Sequence, residues 1–288
     1  MQRQQTPWFW GGMMPNFQNL VPPSASAWGG PWNSVELVGD GVMRVIPLEM
    51  PIETVRSFLP YTLDLAPQTM TRPGTHPVVM FFQEMVRAHM TIPSLLPNMT
   101  YHEYVFAVPH TVPNGAFGGV FGAPTKTHLQ FMPKLLLSEW LPTIGGVLFW
   151  GFAKQMAHYQ VTNNRVAIST QGGADPLVTL SYEPTGDYKP LHEYPNFGPL
   201  QEVMSEPLVS QLPAAMGPFL VCSNYDKIWS RAVLRPISTE ITVHESFVTN
   251  LPTGIFPDGG KSILTSPLGS VEIKAPWKLS LLYPTWMA

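Results

Sequence analysis

The sequence contains a single cysteine, Cys222, among its 288 residues. An intramolecular disulfide is therefore excluded, and the stability of the fold has to come from packing and hydrogen bonding. The residues around it, Phe219 to Ser223, are mostly apolar. We expect Cys222 to be a small apolar side chain in a strand rather than a reactive thiol.

Charged residues are also scarce, at 12% of the chain, which is about half the usual share. The net charge is -3, and the sixteen lysines and arginines are scattered along the chain rather than clustered. This distribution excludes the basic stripe that binds a nucleic-acid backbone, so we expect no nucleic-acid partner. Because so little of the surface can be charged, we expect other subunits to cover part of it in a homo-oligomer.

Long apolar runs are missing as well. The longest run, from Ile144 to Ala153, is too short to cross a bilayer as a helix. The first residues lack the basic start, apolar core and small-residue cleavage site of a secretory signal. We therefore expect no membrane span and a cytoplasmic protein.

Several catalytic and metal-binding motifs are missing. The eight histidines include no His-x-x-x-His pair, and no cysteine cluster is present to hold zinc. Residues 259–262 resemble the end of a phosphate-binding loop, but the preceding glycine is misplaced and no helical pattern follows. A Gly-x-Ser-x-Gly elbow is absent too. We expect neither a metal ion nor a cofactor.

Proline, by contrast, is abundant, and the 32 prolines exclude long helices over most of the chain. From about residue 35, short alternating or apolar segments are separated by proline and glycine. This pattern predicts strands over His76–Arg87, Glu103–Val108, Arg165–Thr170, Val178–Tyr182, Thr239–Phe247 and Ser270–Lys274. The predicted fold class is mainly β, a β-rich α+β barrel or sandwich with few short helices.

Two local predictions accompany this pattern. Glycines 39 and 41 predict that the segment from Ser34 to Ile46 is a hairpin that turns at Asp40. The spacing of apolar residues from Ile52 to Leu59, with Pro51 before them and a proline after them, predicts a helix.

Residues 1–34 differ from the rest of the chain, because they contain paired glycines, several prolines, four tryptophans and little periodicity. We predict an N-terminal extension here, followed by one barrel domain over residues 35–288. Disordered segments are poor in aromatic residues, so we expect the extension to wrap over the barrel or a neighbouring subunit. A substrate lid is the alternative.

Lys154 is the only lysine in an otherwise mostly apolar stretch, from Ile144 to Ala157. Burial disfavours the ammonium form and lowers the pKa of a lysine, which leaves a free amine near neutral pH. Such an amine attacks a carbonyl group to form an imine, and the protonated imine stabilises negative charge on the adjacent carbon. The alternative is a lysine whose stem packs on apolar surface while its ammonium group reaches water.

Three segments of the chain resemble the acetoacetate decarboxylase family. The segment from Gly151 to Ala157 is similar to the signature whose first lysine forms the Schiff base, and Lys154 falls on that position. Tyr101-His102-Glu103 resembles a Tyr-Thr-Glu segment whose glutamate lines the family's active site. Residues 241–247, with the tripeptide 224–226 upstream, resemble a segment that reads Val-Thr-Val-His-Glu-Ala-Trp in the family. The matches cover roughly residues 40 to 283 in the family's order.

The resemblance implies a cone-shaped β-barrel with the lysine pointing inward, and catalysis without a cofactor. It implies that Lys154 and Glu103 are catalytic, with Glu103 orienting the substrate or moving a proton; a polar residue on the strand surface is the alternative for Glu103. The register leaves open whether Gln83 or Glu84 faces the pocket. The predicted substrate-binding residues are Gln83, Glu84, Arg44, Phe152, Trp150 and Met156.

The chain also departs from the family at several positions. Gln155 stands where the family has a second lysine, Ala153 replaces a proline, and the preceding Gly-Arg-Glu is missing. A family arginine aligns near Gly41, so that Arg44 is the nearest substitute. We expect a small-molecule carbonyl substrate and a Schiff-base-forming lyase that decarboxylates a β-keto acid. The alternatives are aldol or dehydration chemistry through the same imine, and a noncatalytic binding barrel.

Overall fold

The structure of the protein is a computed structural model. It describes residues 36–91, 98–114, 128–144, 152, 154–211, 220–257 and 261–280. The predicted extension over residues 1–34 lies outside these ranges, so the division into an extension and a barrel domain stays a prediction. The predicted fold class is confirmed, because the structure is mainly β with a few short helices.

Fourteen strands occur in the described residues. In chain order they are β1 (Glu36–Pro51), β2 (Leu63–Leu65), β3 (Thr75–Met90), β4 (Met99–Pro113), β5 (Leu129–Leu137), β6 (Lys154–Val161), β7 (Arg165–Thr170), β8 (Pro176–Pro184), β9 (Lys189–Pro190), β10 (Leu208–Gln211), β11 (Leu220–Lys227), β12 (Val233–Val243), β13 (Gly254–Pro257) and β14 (Val271–Ser280).

The helices are short. Helix α1 (Ile52–Arg56) begins directly after Pro51 and is shorter than predicted, because the chain turns at Ser57 and the hydroxyl of Ser57 donates to the carbonyl of Thr54 at 2.6 Å. Helix α2 spans Gly198–Val203, residues 140–144 are helical, and single 3-10 turns lie at Leu191–Glu193, Pro195–Phe197 and Trp229–Arg231. Among the described residues, every helix falls short of the length and apolar character that a bilayer crossing requires.

The strands close into a barrel. Nine of them form a ring in the order β14, β1, β3, β4, β5, β6, β7, β8 and β12, and β12 pairs with β14 to close it. Within this ring only the pair β5–β6 is parallel, so the barrel is mixed. Strands β10 and β11 provide a second path between β5 and β14.

The predicted hairpin at Asp40 is wrong. Strand β1 continues through Gly39, Asp40 and Gly41, and it pairs with β14 on one edge and with β3 on the other. The glycines make room instead of making a turn: a Cβ atom on Gly39 would lie 3.0 Å from Cζ2 of Trp277. The indole of Trp277 crosses the strand here and donates to the carbonyl of Asp40 at 3.0 Å.

The predicted strand over Thr239–Phe247 is displaced toward the N-terminus. Strand β12 ends at Val243, and the backbone N–H groups of His244 and Glu245 both donate to the carbonyl of Leu177. This bend ends the ladder before His244, whose exposed imidazole lies 3.0 Å from the hydroxyl of Thr179. His244 and Glu245 are therefore outside the strand on which the sequence placed them.

Two apolar cores lie on opposite faces of the strands β1, β3, β4 and β5. The first core contains Val45, Phe81 and Val105 together with residues of β11, β14 and α2. The second core contains their neighbours of opposite parity, such as Phe82 and Phe106, together with residues of β7, β8 and β12. Since side chains alternate along a strand, parity decides which core a residue faces between β-bulges. Across the bulges the parity changes, so that Ala88 of β3 and Met132 of β5 also belong to the first core.

Candidate active site

Lys154 is the first residue of β6, where the chain joins β5 as a parallel neighbour with Leu135 opposite Lys154. Its backbone N–H donates to the carbonyl of Phe152 at 2.7 Å. The side chain of Lys154 is only 5% exposed. The long lysine stem is thus covered to its tip, unlike a lysine whose ammonium group reaches water.

The amine of Lys154 lies beside a buried carboxyl group. Its Nζ is 3.8 Å from Oε1 of Glu103, whose side chain is 10% exposed. Burial lowers the pKa of Lys154 below the usual 10.5, and the charge of Glu103 opposes this shift. Burial also raises the pKa of Glu103 above 4.5, and the charge of Lys154 opposes that shift. Both shifts favour the neutral amine and the neutral acid over the ion pair.

Glu103 has a polar neighbour across the strand pair. Gln83 on β3 stands opposite Glu103 on β4, and both have the parity of the first core. Gln83 is 6% exposed, and its Oε1 accepts a hydrogen bond from the hydroxyl of Tyr225 at 3.4 Å. Of the two candidates that the sequence left open on β3, Gln83 is therefore the one that shares a face with Glu103.

Two tyrosines complete this polar cluster, and neither was among the predicted site residues. Tyr101 lies two residues before Glu103 on the same face of β4, and Tyr225 reaches it from β11. Burial raises the pKa of both phenols well above 10, and the nearby Glu103 adds to the shift. The signal was present in the sequence, because both tyrosines lie in segments that resemble the decarboxylase family.

Two of the predicted apolar residues, Phe152 and Met156, lie on the same side of the sheet as the amine. Phe152 is 2% exposed and belongs to the first core, with its ring centroid 5.9 Å from Nζ of Lys154. Met156 is two residues beyond Lys154 on the same face of β6, and its sulfur accepts from the hydroxyl of Thr143 at 3.3 Å. Trp150 lies outside the described residues. The described neighbours can exclude water from an imine.

Arg44 and Glu84 are not brought to this cluster, because their parity places them on the opposite face of β1 and β3. Nε of Arg44 lies 2.8 Å from Oε2 of Glu272, and its guanidinium lies 4.3 Å from the ring centroid of Tyr182. Arg44, which was predicted to bind a substrate carboxylate, is paired with Glu272 instead.

Gln155, at the position of the family's second lysine, also points away from Lys154. Successive residues of a strand face opposite sides, and Gln155 is exposed. Its Oε1 accepts a hydrogen bond from Nζ of Lys134 at 2.6 Å. The lowered pKa of Lys154 therefore rests on burial.

Comparisons with known proteins place this arrangement in a recognised fold. No protein-family model and no curated protein matches the chain. Solved structures do match it. Acetoacetate decarboxylase from Legionella pneumophila is 14% identical, with a TM-score of 0.56 over 92% of this chain and 94% of that one.

Two further structures belong to related enzymes. The enduracididine biosynthesis enzyme MppR complexed with pyruvate is 15% identical, with a TM-score of 0.52 over 85% of this chain and 87% of that one. An acetoacetate decarboxylase-like enzyme from Sphingomonas wittichii RW1 is 10% identical, with a TM-score of 0.50 over 86% of this chain and 91% of that one. The resemblance read from the sequence is thus confirmed at the level of the fold, and the chain has an acetoacetate decarboxylase-like barrel.

Proposed function

We propose that the protein is a Schiff-base-forming lyase that uses Lys154 to decarboxylate a β-keto acid. The observation that carries the proposal is the buried amine of Lys154, 3.8 Å from the buried carboxyl group of Glu103. This pair lies in a fold that the chain shares with acetoacetate decarboxylase. A lysine with a lowered pKa supplies the neutral amine that attack on a ketone requires.

The reaction follows from this pair. Nζ of Lys154 attacks the ketone carbon, and the resulting carbinolamine takes up a proton and loses water to give an iminium ion. The bond between the α-carbon and the carboxylate then breaks, carbon dioxide leaves, and the electron pair moves into an enamine. The α-carbon of the enamine takes up a proton, and water hydrolyses the imine to release the ketone and the free lysine.

In this proposal, Glu103 transfers the protons in these reaction steps. As a neutral acid it donates a proton to the departing hydroxyl group of the carbinolamine. After it takes up a proton from solvent it donates to the enamine carbon, and it regains a proton when water hydrolyses the imine. The raised pKa keeps the acid form available at higher pH than for an exposed glutamate. General acid-base catalysis of this kind contributes about 10²- to 10⁴-fold in rate.

Aldol or dehydration chemistry through the same imine is the second candidate. Two observations favour it. Arg44 is paired with Glu272 on the opposite face, so it does not offer a carboxylate partner beside Lys154. A structure of the same fold, MppR, holds pyruvate, which is an α-keto acid without a β-carboxylate. Product analysis separates the two, since only decarboxylation releases carbon dioxide.

A noncatalytic barrel that binds a small molecule is the alternative of a different class. The replacement of the family's second lysine by Gln155 favours it. A binder has no need of a nucleophilic amine, so it predicts reversible ligand binding without any covalent adduct.

Borohydride trapping tests the proposal. The protein is incubated with β-keto acids, α-keto acids and aldehydes, reduced with borohydride, and read by intact mass and peptide mapping. We expect one adduct on Lys154, at least about 100-fold less of it in Lys154→Ala, and an unchanged adduct in Lys134→Ala. Lys134 is the matched control because it is a half-buried lysine on the neighbouring strand β5.

Two results would count against imine chemistry. An adduct that persists in Lys154→Ala would assign the reactivity to another amine. No adduct across the panel, with circular dichroism showing a folded protein, would favour the noncatalytic barrel.

A further inference from the structure

Three potential metal ligands from distant parts of the chain meet at one end of β4 and β5. His110 lies near the end of β4, His128 immediately precedes β5, and Glu206 lies between α2 and β10. We call these residues the 110/128/206 cluster. The sequence pattern did not predict it, because the three residues are 18 and 78 positions apart and form no local motif.

The spacing of the three ligand atoms suits a single metal ion. Nδ1 of His110 lies 2.7 Å from Oε1 of Glu206 and 3.3 Å from Nδ1 of His128, and the third side of the triangle measures 3.9 Å. A circle through three points with these separations has a radius of about 2.0 Å, so one position lies at a zinc-ligand distance of about 2.0–2.1 Å from all three atoms. An ion slightly above the plane of the triangle would have distorted tetrahedral geometry, with a fourth position open.

The carboxylate of Glu206 is buried and held in place. Its residue is 6% exposed, and its Oε2 accepts the backbone N–H of His110 at 3.0 Å. Its Oε1 lies 2.7 Å from Nδ1 of His110, a close contact whose geometry does not make a hydrogen bond. A metal ion equidistant from the three ligand atoms would bind Oε1 and both ring nitrogens directly, in place of this contact.

The backbone conformation of His110 also supports a ligand site. Its φ of 51° lies in the left-handed region, which is costly for a residue with a Cβ atom. Residues held in such conformations concentrate at ligand sites, where the surrounding structure enforces them.

We propose that His110, His128 and Glu206 bind one first-row divalent transition metal ion of the Zn²⁺ type. Two imidazole nitrogens and one carboxylate oxygen are borderline ligands that suit zinc and its neighbours, whereas Ca²⁺ and Mg²⁺ prefer oxygen ligands alone. The side chain of His128 is 35% exposed, which gives the ion and one water ligand access from solvent. The competing arrangement is a hydrogen-bonded histidine-glutamate network without metal.

The site is separate from Lys154. Lys154 stands opposite Leu135 on β5, and six residues lie between His128 and Leu135. An extended strand rises about 3.3 Å per residue, so the two sites lie roughly 20 Å apart. The ion is therefore independent of Lys154: it joins the end of β4, the start of β5 and the segment before β10, where the backbone N–H of Gln130 also donates to the carbonyl of Pro207 at 2.9 Å.

Metal titration of the full chain tests the proposal. The protein is stripped with a chelator, dialysed and titrated with Co²⁺, whose visible absorption is much stronger in a tetrahedral site than in water, and Zn²⁺ is then added to displace it. We expect one ion per chain, and an affinity at least about tenfold lower in His128→Ala and in Glu206→Gln. His192→Ala is the matched control, because His192 is an exposed histidine outside the cluster.

Each outcome decides for or against the site. Zn²⁺ that raises the melting temperature of the native protein and of His192→Ala, but not of His128→Ala, supports it. The absence of a Co²⁺ band at micromolar metal would establish the metal-free network. Equal binding by His128→Ala and the native protein would place the metal elsewhere. Imine trapping at Lys154 should be unchanged by the chelator, so the failure of one proposal leaves the other testable.

Discussion

At Lys154 two opposing effects meet within one side chain. Burial favours the neutral amine, and the neighbouring Glu103 favours the ammonium form. Burial is the larger effect, so the pKa falls. The carboxylate form of Glu103 thus reduces the fraction of neutral amine at Lys154, whereas the acid form donates protons in the proposed reaction. Replacing Glu103 separates these two roles.

We expect Glu103→Gln to shift the pH dependence of imine trapping to lower pH. Trapping requires the neutral amine, so its rate rises as pH increases through the pKa of Lys154. Loss of the Glu103 charge lowers this pKa further, because that charge raises it. Steady-state turnover should fall by about 10²-fold or more, since the proton donor is lost.

Stopped-flow trapping rates between pH 5 and 10 check this prediction. Glu84→Gln is the control. Glu84 follows Gln83, the residue opposite Glu103, and it has the parity of the second core. A midpoint that moves to higher pH in Glu103→Gln would contradict the arrangement.

The sequence predicted the residues of this pair better than their surroundings. Lys154 and Glu103 stand out by resemblance, and the structure brings them together. Sequence could not choose between Gln83 and Glu84, because a shift of one residue in strand register exchanges the two faces. It also offered Arg44, whose pairing with Glu272 depends on the contact between β1 and β14.

At the scale of elements, strand β1 shows how one residue type serves two purposes. Glycine is typical of a hairpin turn, but it is equally typical of a strand that another side chain crosses closely. At Gly39 the second reason applies, and the crossing side chain is Trp277. Segments without this ambiguity were predicted well, and β7 begins and ends at the predicted residues, Arg165 and Thr170.

We expect Gly39→Ala to destabilise the protein by about 1–3 kcal/mol, the usual cost of overpacking. The new Cβ atom would lie 2.9 Å from the carbonyl oxygen of Val86, which is fixed in β3, and 3.0 Å from the indole of Trp277. Urea denaturation followed by tryptophan fluorescence measures the change in the free energy of unfolding.

Gly198→Ala is the matched control. Gly198 begins α2 in a right-handed helical conformation, and a Cβ atom there would have no neighbour within 4 Å. This variant should be neutral or more stable by up to about 1 kcal/mol, because alanine favours the helix. Equal effects of the two substitutions would mean that close packing does not explain Gly39.

At the scale of the whole molecule, a buried ion cluster lies where the nine-strand ring closes. The carboxylate of Glu272 on β14 lies 2.8 Å from Nε of Arg44 on β1 and 2.6 Å from the guanidinium Nη2 of Arg235 on β12. The hydroxyl of Tyr188 also donates to Glu272. Burial opposes the ionisation of Glu272, but Tyr188 and the two arginines outweigh it and lower its pKa below 4.5.

We expect Glu272→Gln to cost about 3–5 kcal/mol at pH 7, because it leaves two arginines without their buried partner. A lowered folded-state pKa contributes stability that is fully present above the unfolded value of 4.5 and is lost as pH falls through the folded-state pKa. The variant should therefore lose less of its stability than the native protein below pH 4.5. Chemical denaturation from pH 7 to pH 3 measures both effects.

Glu193→Gln provides the comparison for an exposed ion pair. Glu193 lies 3.3 Å from Lys189, and both side chains are about half exposed. Its loss should change the free energy of unfolding by less than about 1 kcal/mol. A similar small cost for Glu272→Gln would show that the cluster does not stabilise the closure of the ring.

The predicted homo-oligomer, which was inferred from the scarcity of charge, remains a prediction.

The pairing of β1 with β14 has a consequence for how the chain is made. Glu36 stands opposite Ser280, so the first and last described strands are neighbours although 244 positions separate these partners. Contacts between such distant residues are slow to form, because a long loop has to close before they contribute. During synthesis β1 is made long before β14, so the pairing of β1 with β14 cannot form until β14 has left the ribosome. Until then, the β14-facing edge of β1 is open to β-strands of other nascent chains, and a chaperone that covers it would raise the yield of folded protein.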